Sequence, residues 1–261
     1  MNGLYILFFF CLTLLLNGCK DNPTGISTTN PNSIKKVFSS NEDFSEYFYN
    51  GNLLIKKETT ARGEVVTSIT FSYDNNGKLI KKDEFSTAAG IPLSYYLIYE
   101  YSSNNLLLKT NAFPKIGENY EFRGYTQYEY ESNKLVKYSF YNQNDELRNY
   151  HILKYDGDNI IEDAQYDESN NLKYLETFEY DNKLNPLIKD LSFISAFTQS
   201  KNNIIKWTNT YYTVSPPNVY VSTCNYTYNN FDYPVECITV YNRNEFGSIS
   251  QDTSISYFEY Y

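Results

Sequence analysis

The 261-residue chain contains one His, one Met and one Trp, with only 11 Gly and 8 Pro. A single imidazole leaves few routes to a His-based metal centre or a catalytic triad. Cationic side chains are also scarce. Against 31 Asp and Glu stand 22 Lys and Arg, a formal net charge of -9 that repels phosphate backbones and argues against nucleic acid as a partner. What the chain does have is 29 Tyr and 17 Phe, together with many Asn. Aromatic residues at 18% supply enough apolar mass for a core, and charged residues at 20% fall short of a disordered composition. One folded, β-rich domain is expected.

Residues 4–16, LYILFFFCLTLLL, form an apolar run broken only by Thr13. Such a run reaches about 20 Å as a helix, short of the hydrocarbon core of a bilayer, and reads as the apolar region of a signal peptide. The sequence Leu16-Asn17-Gly18-Cys19 follows directly and resembles the lipobox of bacterial lipoproteins. That resemblance implies a signal peptide over 1–18, cleavage before Cys19, and diacylglycerol and fatty-acyl attachment to Cys19. Met1-Asn2-Gly3 departs from the usual pattern in carrying no Lys or Arg. Residues 19–43 read as the lipidated Cys and a flexible tether, rich in Asn, Ser, Thr and Pro without apolar alternation. Several acyl chains would give stable anchoring where one gives only marginal binding. Lys20-Asp21 is similar to the start of the charged export signals of Bacteroidota lipoproteins. The expected location is the outer membrane, facing either the periplasm or the cell surface.

Residues 44–261 repeat one pattern. Aligned on a Tyr that precedes an Asn, Asp or Gly turn, the segments are YFYNGNLLIKK, FSYDNNGKLIKK, YEYSSNNLLLKT, YEYESNKLVKY, LKYDGDNIIED, FEYDNKLNPLIKD and YTYNNFDYPVEC. Their anchors are Tyr49, Tyr73, Tyr101, Tyr130, Tyr155, Tyr180 and Tyr228. Successive anchors lie 24, 28, 29, 25, 25 and 48 residues apart; the last interval predicts a degenerate extra unit around TQSKNNIIKW, and YFEYY ends the chain as a partial unit. A second large apolar residue stands two positions before each anchor, as in Phe71-Ser72-Tyr73 and Tyr128-Glu129-Tyr130. Period two is the signature of a half-buried strand, and the residues after the anchor tolerate the positive φ of tight turns. Each unit is therefore read as two antiparallel strands and two connections.

The pattern Tyr-x-Tyr-Asp-x-x-Gly-x-Leu, fullest in FSYDNNGKLIKK, is similar to the YD repeats of Rhs and teneurin-type proteins, and more so to Bacteroidota lipoproteins with degenerate YD-like units. This resemblance implies a continuous antiparallel β-meander and no chemistry. The predicted fold is all-β, with about 14–16 strands and no substantial helix after the signal peptide. A sheet of that size curls or closes, which turns the aromatic ladder inward.

Cys11 leaves with the signal and Cys19 is lipidated, so Cys224 and Cys237 remain for a disulfide. With Asn229–Asp232 as the turn they are predicted to face each other directly, in an oxidising compartment. The acidic turns at 155–159 and 167–171 lack the spacing of a calcium loop and read as turn formers. His151 shares a strand face with Leu153 and Tyr155 and reads as a packed residue. Parity puts Tyr96, Tyr125 and Tyr150 on the polar face, where aromatic rows can stack on a glycan or dock a protein partner; Trp207 is a weaker hint of the same kind. No catalytic residue, metal ligand or cofactor site is assigned. The expected function is a non-catalytic binding or structural module; the alternative is a surface glycan hydrolase using paired carboxylates.

Overall fold

The computed structural model describes residues 33–88, 90, 92–190, 195–245 and 248–261. The expected signal peptide and Cys19 lie outside the described residues. Seventeen strands follow in order: β1 (Ile34–Phe38), β2 (Phe44–Asn50), β3 (Leu53–Ala61), β4 (Glu64–Tyr73), β5 (Leu79–Ser86), β6 (Leu93–Tyr101), β7 (Leu107–Ile116), β8 (Asn119–Tyr120), β9 (Gly124–Glu131), β10 (Lys134–Asn142), β11 (Leu147–Asp156), β12 (Asn159–Asp167), β13 (Leu172–Leu184), β14 (Asn202–Tyr211), β15 (Asn218–Tyr228), β16 (Pro234–Glu245) and β17 (Ser248–Tyr260). Apart from the two-residue β8, they form a closed antiparallel barrel of 16 strands. Closure leaves no open sheet edge.

The ring is completed by residues that the sequence suggests are tether. β1 pairs with both β2 and β17, with Ile34 opposite Tyr260 and Phe38 opposite Tyr257. The terminal segment YFEYY is thus half of a full unit whose other half comes from the beginning of the domain. The tether expected to run to residue 43 ends earlier, because β1 is a wall strand and Ser40 and Asp43 are buried in the β1–β2 turn, hydrogen-bonded to each other at 3.1 Å.

Each hairpin that follows an anchor tyrosine carries the same irregularity. The pairing of Tyr49 with Leu54 and of Phe48 with Lys56 skips Ile55; Ile80, Leu108, Val136, Ile161, Ile205 and Val235 are skipped in the same way. This is a β-bulge. It sends the extra aliphatic side chain outward, so Ile55, Ile80, Leu108 and Ile161 are exposed, and it reverses the parity of everything that follows. Turn residues with positive φ, such as Gly77, Asn133 and Asn170, reverse the chain beside or opposite these bulges.

A bulge disturbs the ladder locally, and the tyrosines compensate. Tyr73 Oη donates to the Leu54 carbonyl at 2.6 Å, Tyr101 to Leu79 at 2.8 Å, Tyr155 to Leu135 at 2.9 Å, and Tyr260 to Pro234 at 2.7 Å. Tyr180 donates to the Ile160 carbonyl as well. Each acceptor is the residue just before a bulge on the adjacent strand. The repeat therefore needs Tyr where Phe would fill the space, because the ring packs in the lumen while the hydroxyl stitches one unit to the next. Tyr226 performs this role toward Ile204 at 3.2 Å, freeing the anchor Tyr228 to donate to Asp181.

The 48-residue interval does not hold an extra unit. NNIIKW belongs to β14, the second strand of the Tyr180 hairpin, and residues 185–201 are an insertion in that hairpin's connection. PLIK, expected in a strand, forms a 3-10 turn (Pro186–Lys189) capped by Asn185, because Pro at its start removes a ladder donor and fixes φ. A single helical turn, α1 (Ala196–Gln199), follows, capped reciprocally by Ser195 and Thr198. The insertion folds into the lumen. Leu187 packs on the buried cluster that includes Tyr47, Leu54 and Phe71, and Phe197 packs on the cluster that includes Phe178, Ile160 and Ile204. Asp190 reaches the inward face of β2 and β3, where Lys57 Nζ donates to it at 2.7 Å and Tyr47 Oη at 3.3 Å. Thr198 and Ser200 are buried, and Ser200 hydroxyl accepts from Ile160 N at 3.0 Å.

The outer wall is charged. One residue before the anchors, Glu100 faces Lys109, Glu129 faces Lys137, Lys154 faces Glu162, Glu179 faces Lys206, and Glu259 faces Lys36. Three of these cross-strand pairs close as ion pairs: Lys137–Glu129 at 2.7 Å, Lys154–Glu162 at 2.7 Å and Lys206–Glu179 at 2.6 Å.

Candidate functional site: a tyrosine-lined cavity in the lumen

Beside the insertion the lumen stays open as a cavity of about 1660 Å³. Inward residues of β3 through β11 line it, and Ile188 and Gln199 of the insertion border it. The lining runs from turn residues Asn52, Gly77 and Asn133 at one end of the barrel to Arg123, Gly124 and Tyr125 at the other. The narrowest backbone approach is at that second rim. Gly124 adopts φ +142, and a Cβ there would lie 2.1 Å from the Tyr141 carbonyl oxygen, so no other residue fits without moving backbone.

The walls combine ring faces with hydrogen-bonding tips. Tyr73, Tyr101, Tyr130 and Tyr155 are each pushed up to about 12, above the ordinary phenol value, with desolvation the leading cause. Burial raises Tyr95 and Tyr99 further. These hydroxyls remain protonated donors at any physiological pH. Burial lowers Lys82 against the opposing pull of Glu84, to which its ammonium donates at 3.2 Å; Tyr95 Oη donates to the same carboxylate.

On the β10–β12 wall, His151 and Tyr138 stack with ring centroids 4.4 Å apart. Both line the cavity, and both are held from behind by Asp163: His151 Nδ1 lies 2.6 Å from Oδ1, and Tyr138 Oη donates to Oδ2 at 3.0 Å. Asp163 stands directly opposite Glu176. Desolvation pushes the Glu176 carboxyl up to about 7, with Asp163 adding to the rise and a Tyr174 hydrogen bond opposing it. A protonated Glu176 also offers a donor on the strand pair where Asn209 Oδ1 is buried without a partner. Neither Asp163 nor Glu176 lines the cavity; Tyr138 and His151 do.

The anchors Tyr73, Tyr101, Tyr130 and Tyr155 are brought together on the cavity wall. Tyr49 sits in the buried cluster on the β1–β5 side, while Tyr180 packs against the other cluster. Tyr96, Tyr125 and Tyr150 occupy outward register positions, each stacked on a cross-strand ring: Tyr96 on Phe113 at 4.7 Å, Tyr125 on Tyr141 at 4.9 Å, Tyr150 on Tyr166 at 5.2 Å; of the three, Tyr125 also borders the cavity, at its rim. Trp207 faces inward instead, in edge contact with Phe197 of the insertion at 5.4 Å. Cys224 and Cys237 form a disulfide with Cα atoms 6.0 Å apart, but they are diagonal neighbours. Cys224 pairs with Thr239 and Cys237 with Tyr226, because the loop takes in Tyr233 as a fifth residue and the bulge between Thr227 and Tyr228 adds one more, which together shift the register by two. In the acidic turn at 167–171, Asp167 accepts from Lys173, Asn171 and Ser169, which keep it far below the usual carboxylate range. Among the described residues, no group of three or more His, Cys, Asp or Glu is placed to hold a metal ion.

Lys57, Lys82 and Asp163 were not singled out by the sequence pattern. The signal that locates them is the extra aliphatic residue in LLI, KLI and NII: once a bulge is counted there, the second residue after it faces the lumen.

The fold and its lumen define a closed antiparallel β-barrel, partly plugged from within. No family model matches the chain, and no curated protein matches it. Among solved structures it is similar to a porin-like protein from Bacteroides uniformis ATCC 8492, at 12% identity over 89% of this chain and 99% of that one, with a TM-score of 0.44. A porin-like protein from Bacteroides vulgatus ATCC 8482 aligns at 10% identity over 84% of each chain, with a TM-score of 0.30.

Proposed function

We propose that this chain is an outer-membrane lipoprotein, held by acyl chains on Cys19, whose barrel stands in water and serves as a non-catalytic binding module with its ligand site in the lumen. The observation that carries the reading is the pairing of a charged outer wall with a tyrosine-lined interior. A lipid-facing barrel presents an apolar band about 25 Å tall, and a Lys or Arg near its middle costs about 2–4 kcal/mol. Here Glu129–Lys137, Lys154–Glu162 and Glu179–Lys206 line the outer face of β9 to β14 at one level instead. Such pairs are at ease only in water. A water-standing barrel reaches a membrane through an anchor, and Cys19 in its Leu-Asn-Gly-Cys context supplies one. A catalytic reading gains little support, since the neighbouring carboxylates Asp163 and Glu176 sit behind the cavity wall.

Expression of Cys19→Ser tests this. The variant should take up no labelled fatty acid, leave the membrane fraction and keep its β circular dichroism. A variant that remained in the membrane as a folded barrel would show that the wall itself contacts lipid. Proteinase treatment of intact cells then separates a surface-facing domain, which is degraded, from a periplasmic one, which is protected.

A further inference from the structure

We infer that the lumenal cavity is built for a linear, hydroxyl-rich saccharide chain, which deepens and rests on the proposed lumenal binding function. Three features of the cavity point to that chemistry.

The first is shape. A volume of about 1660 Å³ exceeds the roughly 300–1,000 Å³ typical of a site for one drug-sized ligand, and the lining extends from the turns at one end of the barrel to Arg123 at the other. An elongated oligomer of several rings matches such a space better than a compact molecule. The second is surface. The lining alternates ring faces with polar tips, and sugar rings offer the complement, apolar C–H faces with equatorial hydroxyls. Tyr99, Tyr128 and Tyr138 present phenol rings to the cavity, and Thr110 Oγ1 donates to Tyr128 Oη at 3.1 Å, which leaves that hydroxyl hydrogen directed elsewhere. The third is fixed polarity. His151 Nδ1 is engaged by Asp163, so Nε2 is the nitrogen presented to a ligand, alongside the phenol tips of the lining. An acyl chain would desolvate these groups without replacing their hydrogen bonds. Saccharide hydroxyls donate and accept, and satisfy them.

The full mature chain, as Cys19→Ser, is screened on an array of linear oligosaccharides and titrated by calorimetry with maltohexaose, cellohexaose and chitohexaose. A mixed hexapeptide pool and hexadecanoate are run in parallel. Expected is binding of at least one saccharide, abolished by Ala112→Trp, which fills the cavity, and weakened about tenfold by Tyr99→Phe, which removes one hydroxyl. Tyr99→Phe keeps the test decisive should Ala112→Trp not fold. Tyr150→Ala, on the outer wall, should leave binding unchanged. Absence of saccharide binding overturns the inference, as does binding that Tyr150→Ala removes and Ala112→Trp spares. Binding of peptide or hexadecanoate alone, lost in Ala112→Trp, overturns the saccharide class and leaves the lumenal site standing. Failure of every probe to respond to Ala112→Trp or Tyr99→Phe removes both.

Discussion

The hairpins anchored at Tyr155 and Tyr180 are neighbours built from the same repeat, and they differ in one connection. β11 and β12 are joined by a tight turn through Gly157, and the space in front of β11 belongs to the cavity. β13 and β14 are joined by a longer connection whose described parts, 185–190 and 195–201, enter the lumen and occupy part of it. Both anchors nevertheless make the same bond, Tyr155 to the Leu135 carbonyl and Tyr180 to that of Ile160. The wall is therefore indifferent to the length of its connections, as expected when loop closure costs only slowly more with length. What occupies the lumen is decided by one inserted segment. Its hold on the far wall is the buried Lys57–Asp190 pair.

That contrast can be broken at its strongest point by Asp190→Ala. Lys57 would then keep a buried charge without its carboxylate, and denaturant unfolding should report a loss of about 3–5 kcal/mol. The corresponding change in the plain turn, Asp158→Ala, should stay within about 0.5 kcal/mol, because that carboxylate is exposed and only 3.8 Å from Lys134. Equal effects would mean that the insertion does not depend on its cross-lumen contact. Gly124→Ala, at the cavity rim, comes next. A Cβ 2.9 Å from Asn142 Cα and closer still to the Tyr141 carbonyl must displace backbone, and a loss of about 2–3 kcal/mol is expected.

A smaller effect should distinguish the two walls by pH. Burial raises the Glu176 carboxyl to about 7 in the folded protein, from an ordinary value of about 4.5. The folded state then binds more protons than the unfolded state between those values, so stability from this group is fully present below about 4.5 and is lost as pH rises through about 7. Glu176→Gln should raise the melting temperature at pH 8 relative to the parent and bring little gain at pH 4.5. A parallel shift at both pH values would assign the effect to packing alone. The smallest expected change is Tyr155→Phe, which removes one hydrogen bond to the Leu135 carbonyl at about 1 kcal/mol; Tyr180→Phe should cost more, because Tyr180 also bonds Ser200 of the insertion at 2.8 Å.

Much of the wall is legible in the chain itself. Φ-polar-Tyr triplets before turn formers set strands, their inward face and their number to within two, and a sheet of that size curls. The disulfide partners are legible too, though their register is not. A bulge between Thr227 and Tyr228 adds one residue to one strand, and no residue type in that segment announces it. The insertion is hidden for a related reason. NPLIKD imitates the NGKLIKK of a true second strand, and only the pairing of Ile204 with Tyr180 reveals which aliphatic segment the wall accepts.

Sequence by itself determined the local choices: alternation, turn positions, the tyrosine at each unit boundary and the Cys19 context, all of which depend on residues close together along the chain. Tertiary structure alone decided closure, since β1 and β17 meet only when every unit's twist has accumulated around the ring. It also decided which charges face inward and what remains empty. Lys57 acquires Asp190 from the distant insertion and Asp163 acquires His151 from the neighbouring strand, and the cavity is the volume that the inward side chains and one inserted loop leave unfilled.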